Sequence, residues 1–283
     1  MIILSGSDSL LAQSVLPLLR EKTKVFAFDR TRGSINDSNF LTKLAEETKA
    51  SIFINCDEMN NAEECAYKRE EAYSINSFAA GEIAKVCKNF NIKLIHISSS
   101  FVYSGIENIP YSESDAADPQ NVMGDSKLFG EKKIIESGCD HVILRFPQIY
   151  GKGNSFITDV LRDSSGSRLI KGQIISSLYS KDAASIIGSA IDKNISGIYN
   201  ASNSGGSDIF EFFNYCNKLL EKHSGKNIIV KFTPVDYADF LSASEPILYN
   251  NLNISKIETA LGIKLRSWQE ALEEYMKDYH QFV

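Results

Sequence analysis

Short apolar runs recur along the first half of the chain, and a polar turn and a segment with helical spacing follow most of them. The runs cover residues 1–4, 24–28, 51–55, 94–100 and 141–146. The fourth is continuously apolar until its serines, as expected of a strand buried on both faces. Strands that alternate with helices form parallel sheets, because each return to the same edge needs a crossover. The pattern therefore predicts an α/β fold with helices on both faces of a parallel sheet.

Capping residues and helical spacing mark the connecting segments. One helix is predicted from the first turn through Arg20, and a second lies within residues 34–49. A long helical stretch covers residues 63–89, with an interruption around Ser74. A fourth helix opens at Asn121, since asparagine is a favoured N-cap and apolar positions follow at helical spacing.

In the second half of the chain the predicted elements become shorter and more mixed. We predict a helix over residues 155–162, a strand within 169–180 and another at 197–202. An amphipathic helix follows Trp268 near the end of the sequence. Residues 1–150 are therefore expected to form the main domain, and residues 151–283 a smaller mixed α/β lobe interleaved with it.

Composition excludes several classes of function. The 283 residues carry a net charge of −6 and no basic stripe, which argues against nucleic acid as a partner. No apolar run reaches membrane-spanning length and no leader precedes the first strand, so we expect no membrane association. The five cysteines lack C-x-x-C spacing and the four histidines are scattered. We therefore expect reduced thiols, a cytoplasmic location and no metal site.

The turn after the first strand is placed where a Rossmann fold binds pyrophosphate on the N–H groups of a helix N-terminus. Gly6, Leu10 and Leu11 are candidates for that contact. Ser9 stands where backbone should approach phosphate, and Asp8 adds a negative charge. An ordinary strand–helix turn is the alternative interpretation.

The second apolar run ends in Asp29 and Arg30. An acid there suits the ribose 2′-hydroxyl of NAD, and an arginine suits the 2′-phosphate of NADP. Both side chains are equally consistent with plain surface charges at a strand end.

Three segments resemble the extended short-chain dehydrogenase/reductases, in particular the dTDP-4-dehydrorhamnose reductases. Residues 98–103, Ser-Ser-Ser-Phe-Val-Tyr, resemble the family's strand end Ser-Thr-Asp-Tyr-Val-Phe. Residues 123–127, Met-Gly-Asp-Ser-Lys, resemble its helix motif Tyr-Gly-x-Ser/Thr-Lys. Residues 145–156 resemble its arginine-led crossing into the substrate lobe, and the likeness extends over essentially the whole chain. It implies a Rossmann-type, doubly wound parallel sheet.

The resemblance also implies roles for individual residues. Ser99 would position a carbonyl and Lys127 would hold the cofactor ribose, while Met123 stands where the family has its proton-donating tyrosine. A thioether has no exchangeable proton, and Tyr103 is an imaginable substitute. The implied cofactor is NADP or NAD, held by Gly6, Ser9, Leu10, Leu11, Asp29, Arg30, Cys56, Asp57 and Lys127. The implied substrate contacts are Ser100, Tyr103, Arg145, Asn154 and Phe156.

Another departure lies after Asn55, where the family has two small alanines beside the cofactor. Here Cys56 and Asp57 follow, and a carboxylate near a pyrophosphate would repel it. The alternative is that Asp57 points into solvent.

Three functions therefore remain open. The first is NAD(P)-dependent reduction of a nucleotide-linked keto sugar, supported by Ser99 and Lys127. The second is a catalytically inactive member that binds a nucleotide or sugar nucleotide, or serves as a regulatory subunit of a partner enzyme. Met123, Ser9 and Asp57 favour the second. The third is a protein whose pocket is vestigial and whose role is protein–protein contact alone. The partner is then expected to be a second copy of the chain, as a homodimer, or a partner enzyme.

Overall fold

The computed structural model describes residues 1–163, 166–224 and 230–279. Its strands are β1 (Ile2–Ser5), β2 (Val25–Phe28), β3 (Ile52–Asn55), β4 (Lys93–Ser99), β5 (His141–Phe146), β6 (Gln148–Tyr150), β7 (Ser167–Ile170), β8 (Ile174–Ile175), β9 (Ser177–Tyr179), β10 (Gly197–Asn200), β11 (Ser207–Asp208), β12 (Phe232–Val235) and β13 (Tyr249–Asn250). Its helices are α1 (Leu10–Lys22), α2 (Ser38–Thr48), α3 (Ala62–Tyr67), α4 (Arg69–Tyr73), α5 (Ala79–Phe90), α6 (Val122–Ser137), α7 (Phe156–Arg162), α8 (Ser180–Asp192), α9 (Ile209–Ser224), α10 (Ser255–Leu261) and α11 (Trp268–Tyr279).

Six strands form one parallel sheet in the order β10-β5-β4-β3-β1-β2. Apolar side chains of α1 and α8 pack on one face of this sheet. Those of α2 and α5 pack on the other, together with Ile134 of α6. The five apolar runs of the sequence are strands of this sheet, which confirms the predicted doubly wound α/β fold.

Local sequence signals fix the ends of several helices. The Asn121 side chain accepts a hydrogen bond from the Gly124 N–H at 3.0 Å and begins α6. The interruption predicted around Ser74 is a π-helical turn, Ser74–Phe78, between α4 and α5. A π-helical turn moves the register of a helix by one residue, and this one turns the Asn76 side chain toward the loop after β3.

The second half of the chain builds three small sheets, in the orders β11-β8-β13, β12-β7 and β6-β9. They enclose an aromatic core in which Trp268 lies 5.3 Å from Phe212 and 5.6 Å from Tyr215, measured between ring centroids. The segment predicted as one strand, 169–180, contains parts of three short ones. Helix α8 packs on the large sheet and strand β10 pairs with β5 at its edge. Across the described residues, no helix is long and apolar enough to cross a bilayer.

Candidate functional site

A cleft of about 420 Å³ lies where the carboxyl end of the large sheet meets the small lobe. Carboxyl ends of parallel strands are where α/β folds bind ligands. Eight of the residues predicted from the sequence line this cleft: Ser9, Leu10, Leu11, Ser99, Met123, Lys127, Asn154 and Phe156. The first three come from the β1–α1 turn, the next three from the ends of β4 and α6, and the last two from the wall formed by the small lobe.

The β1–α1 turn depends on a glycine. Gly6 has a φ of 69°, and a Cβ atom there would lie 2.6 Å from the backbone nitrogen of Asp57. Glycine is therefore required by the close approach of the loop that follows β3. The Ser9 hydroxyl turns back and accepts a hydrogen bond from the Ala12 N–H at 3.2 Å, capping α1. The N–H groups of Leu10, Leu11 and Ala12 belong to the helix's first turn and have no intrahelical partner, and the Ser9 hydroxyl satisfies only the last.

The two charged residues after β2 have different surroundings. The Asp29 carboxylate accepts hydrogen bonds from the hydroxyl and the N–H of Thr31, at 2.5 and 2.9 Å, and these bonds lower the pKa of Asp29. The Arg30 side chain instead reaches across to the loop after β3. Its Nε lies 2.8 Å and its Nη2 2.6 Å from Asp57 Oδ1, and Nη2 also donates to the Glu58 carbonyl at 3.1 Å.

The Asp57 carboxylate points inward, because its side chain is only 5% exposed. One oxygen accepts the Arg30 bonds, while Oδ2 has no partner among the described residues. Burial raises the pKa of Asp57 even though Arg30 acts in the opposite direction. Its neighbour Cys56 is fully buried, and burial raises the pKa of that thiol, so Cys56 is neutral packing beside the turn.

Lys127 lines the cleft and is buried, at 1% exposure. Its ammonium donates to the Ile97 carbonyl at 3.1 Å and forms an ion pair with the Glu58 carboxylate. Glu58 also lines the cleft, although no motif in the sequence pointed to it. The available signal was its position, one residue beyond Asp57 in the same loop.

Asn76 fixes the loop that carries Asp57 and Glu58. Its amide accepts from the Met59 N–H at 2.9 Å and donates to the Met59 carbonyl at 3.0 Å. The same amide donates to the Ser126 hydroxyl on α6 at 3.0 Å. The loop is therefore tied to the helix that carries Lys127.

The predicted hydroxyl, Ser99, and the Met123 side chain both line the cleft. Ser99 caps the short 3₁₀ turn Ser100–Val102, accepting from the Phe101 N–H at 3.2 Å. Met123 is buried in a cluster that includes Phe101 and Val122. Its thioether gives this part of the cleft an apolar surface with no proton to donate.

Three residues predicted to contact substrate are not among those that line the cleft, within the described parts of the chain. Ser100 is buried, and its hydroxyl has no partner among those parts. Tyr103 and Arg145 belong to a buried network in which the Arg145 guanidinium donates to the Tyr103 hydroxyl at 2.9 Å. The Tyr103 hydroxyl then donates to the Asn200 side chain at 2.9 Å. Burial is the largest influence on Tyr103 and raises its pKa.

Comparison with known proteins places this fold and cleft in a family. The model of the RmlD substrate-binding domain matches residues 1–281. The chain belongs to this family. The spore coat polysaccharide biosynthesis protein SpsK of Bacillus subtilis is 27% identical, with 98% of this chain and 97% of SpsK covered. The dTDP-4-dehydrorhamnose reductase of Aggregatibacter actinomycetemcomitans is 23% identical, with 96% and 97% covered. The crystal structure of the Bacillus anthracis dTDP-4-dehydrorhamnose reductase in complex with NADP superposes with a TM-score of 0.88 at 26% identity, with 97% of each chain covered.

The RmlD family implies a dinucleotide, and this chain retains the features that would receive one. The Gly6 turn passes close to β3, and α1 presents N–H groups at the cleft. The Ser9 side chain is folded into its helix cap. The residues therefore fit a dinucleotide. In this structure, Arg30 and Lys127 are both paired with carboxylates of the loop that follows β3.

Proposed function

We propose that this RmlD-family protein reduces a nucleotide-linked keto sugar with NADH or NADPH bound in the cleft. The observation that carries the proposal is the convergence of Ser99 and Lys127 on one cleft opposite the α1 N-terminus. That arrangement brings a hydroxyl, an ammonium and the first turn of α1 around one volume. The relatives named above as dTDP-4-dehydrorhamnose reductases support a sugar nucleotide as the substrate.

The bound dinucleotide would supply hydride to the carbonyl carbon. Its pyrophosphate would lie on the N–H groups of Leu10 and Leu11, and its nicotinamide ribose near the Lys127 ammonium. The Ser99 hydroxyl would donate a hydrogen bond to the carbonyl oxygen and orient it. Asn154 and Phe156 would face the sugar nucleotide from the small lobe. Arg30 favours a 2′-phosphate on the adenosine ribose, whereas Asp29 favours a 2′-hydroxyl.

The proton that completes reduction has no donor at position 123. Positioned general acids contribute roughly 100- to 10,000-fold to such reactions. Water or the Lys127 ammonium would have to protonate the oxygen, so we expect turnover slower by about that factor than with a phenol present.

A second candidate is a non-catalytic protein that binds a nucleotide or sugar nucleotide, acting as a regulatory subunit. The observation that favours it is the apolar surface that Met123, a member of a buried apolar cluster, gives to the cleft wall.

The test compares wild type with Met123→Tyr and Met123→Phe, using a dTDP-linked 4-keto-6-deoxy sugar and NADH or NADPH. Product is followed by chromatography, and binding of each ligand by calorimetry. Met123→Phe matches the size of the tyrosine without its hydroxyl. We expect Met123→Tyr to raise kcat by about 100-fold or more, and Met123→Phe to leave it unchanged. Binding of both ligands without turnover in any of the three proteins would favour the non-catalytic candidate.

A further inference from the structure

Two adjacent carboxylates of one loop hold Lys127, which lines the cleft, and Arg30, which follows β2 and is not among the lining residues. Asp57 holds Arg30, and Glu58 holds Lys127. We propose that Asp57 and Glu58 determine dinucleotide affinity, and that Asp57 sets the choice between NADH and NADPH. This inference rests on the proposed dinucleotide site.

Arg30 carries the choice between the two cofactors. Two of its nitrogens contact a single oxygen of Asp57, at 2.6 and 2.8 Å, and one of them also contacts the Glu58 carbonyl. Arginine recognises phosphate best with its planar fork in a bidentate arrangement. In the present arrangement, that fork faces the β3 loop and its charge is neutralised. The Arg30 side chain is 44% exposed, so it is free to turn outward once Asp57 is removed.

Lys127 acts on both cofactors alike. Its ammonium is nearly excluded from water and its partner Glu58 is mostly buried, so solvent screens the pair weakly. The nicotinamide ribose offers neutral hydroxyls, which are weaker acceptors for an ammonium than a carboxylate. Since NADH and NADPH share this ribose, Glu58 should oppose the binding of both equally.

The loop is built to keep the two carboxylates in place. The Asp57 N–H donates to the Asn55 side chain at 3.2 Å, and Asn76 holds both backbone polar groups of Met59. Fixed ends on either side of Asp57 and Glu58 limit how far their side chains can withdraw when a dinucleotide enters. Their charges therefore compete with the cofactor for the two cations.

The experiment measures the dissociation constants of NADH and NADPH by calorimetry for wild type, Asp57→Ala and Glu58→Gln. In Asp57→Ala the partly exposed Arg30 is released and can bind the 2′-phosphate of NADPH. The dissociation constant of NADPH should therefore fall at least about fivefold more than that of NADH. Glu58→Gln should lower the dissociation constants of NADH and NADPH by the same factor, roughly fivefold or more. The double variant Arg30→Gln/Asp57→Ala should lose the preference for NADPH.

The control is Asp159→Asn, which removes a negative charge from an exposed carboxylate on the α7 side of the same cleft. Among the described residues no ion pair involves Asp159, so its substitution should leave the ratio of the two dissociation constants unchanged. An equal change in that ratio for Asp159→Asn and Asp57→Ala would overturn the inference, as would an unchanged ratio in Asp57→Ala. If Asp57→Ala fails to fold, Asp57→Asn gives the same readout. Binding of neither dinucleotide by any variant would instead remove the proposed cofactor site, and the inference with it.

Discussion

Replacing Arg145 with methionine should destabilise the fold strongly. Arg145 and Glu131 form a buried pair whose side chains are 5% and 1% exposed. The guanidinium contacts one carboxylate oxygen at 2.9 Å and the other at 2.6 Å. Burial opposes the charge on Arg145, yet Glu131 raises its pKa above the ordinary value. Arg145→Met leaves the Glu131 carboxylate buried with the Ser98 hydroxyl, which donates at 2.5 Å.

The expected loss of stability in Arg145→Met follows from the uncompensated charge of Glu131. Breaking a buried ion pair by removing one partner costs about 3–5 kcal/mol in free energy of unfolding. Arg145→Met should fall in that range, because methionine fills much of the volume but leaves the carboxylate without its bidentate partner. The double variant Glu131→Gln/Arg145→Met should lose less than the sum of the single variants, by about 2 kcal/mol, since no buried charge remains.

Urea unfolding followed by circular dichroism measures these values, with the slope of the transition checked for each variant. Calorimetric titration with a sugar nucleotide, corrected for the folded fraction, measures binding in the same proteins. A loss of under 1 kcal/mol together with abolished binding would refute the structural interpretation. It would instead support the substrate contact that the sequence predicts for Arg145.

Two further predictions concern the turn and the sheet. Gly6→Ala should lower the free energy of unfolding by about 2 kcal/mol or more, because an alanine at φ 69° is strained and its Cβ would meet the backbone of Asp57; thermal unfolding beside wild type measures it. His96 is buried, and burial followed by the charge of Lys127 lowers its pKa from 6.5 to about 3. Between these values the unfolded chain binds a proton that the folded chain does not, so stability falls as pH falls. The loss should reach about 3 kcal/mol between pH 6.5 and about pH 4. Urea unfolding at both pH values should show a smaller loss of free energy of unfolding for His96→Gln than for wild type. An equal loss in the two proteins would contradict the assignment to His96.

Patterns that depend on nearby residues predicted the large sheet well. Apolar runs, the Asn121 cap and the break at Ser74 each reflect interactions within a few residues, and each corresponds to a feature of the structure. The segment 169–180 was predicted less fully. It folds into strands of two to four residues, and so short a strand carries too little alternation to be separated from its neighbours.

The cleft was predictable only where a motif named its residues. Ser99, Met123 and Lys127 were found through their resemblance to a strand end and a helix start. The pairing of Glu58 with Lys127 joins residues 69 positions apart, and that of Arg30 with Asp57 joins residues 27 apart. Such pairings depend on how β2, β3 and α6 meet at the end of the sheet, and no local pattern encodes that. The Asp57 carboxylate accordingly pairs with Arg30, whereas the sequence left open whether it points into solvent or toward a bound phosphate.

The ion pair between Lys127 and Glu58 connects with the loss of the phenol at Met123. A buried ammonium needs an anion or strong acceptors around it. The family resemblance implies a phenol beside this lysine; at the matching position the chain has the thioether of Met123, and Glu58 supplies the countercharge. A phenol restored at this position would meet an ammonium already neutralised by Glu58, so its pKa would be lowered less than beside a free lysine. Met123→Tyr combined with Glu58→Gln should therefore gain more turnover than Met123→Tyr alone. Equal gains in the two proteins would show that Glu58 leaves Lys127 once substrate and cofactor are bound.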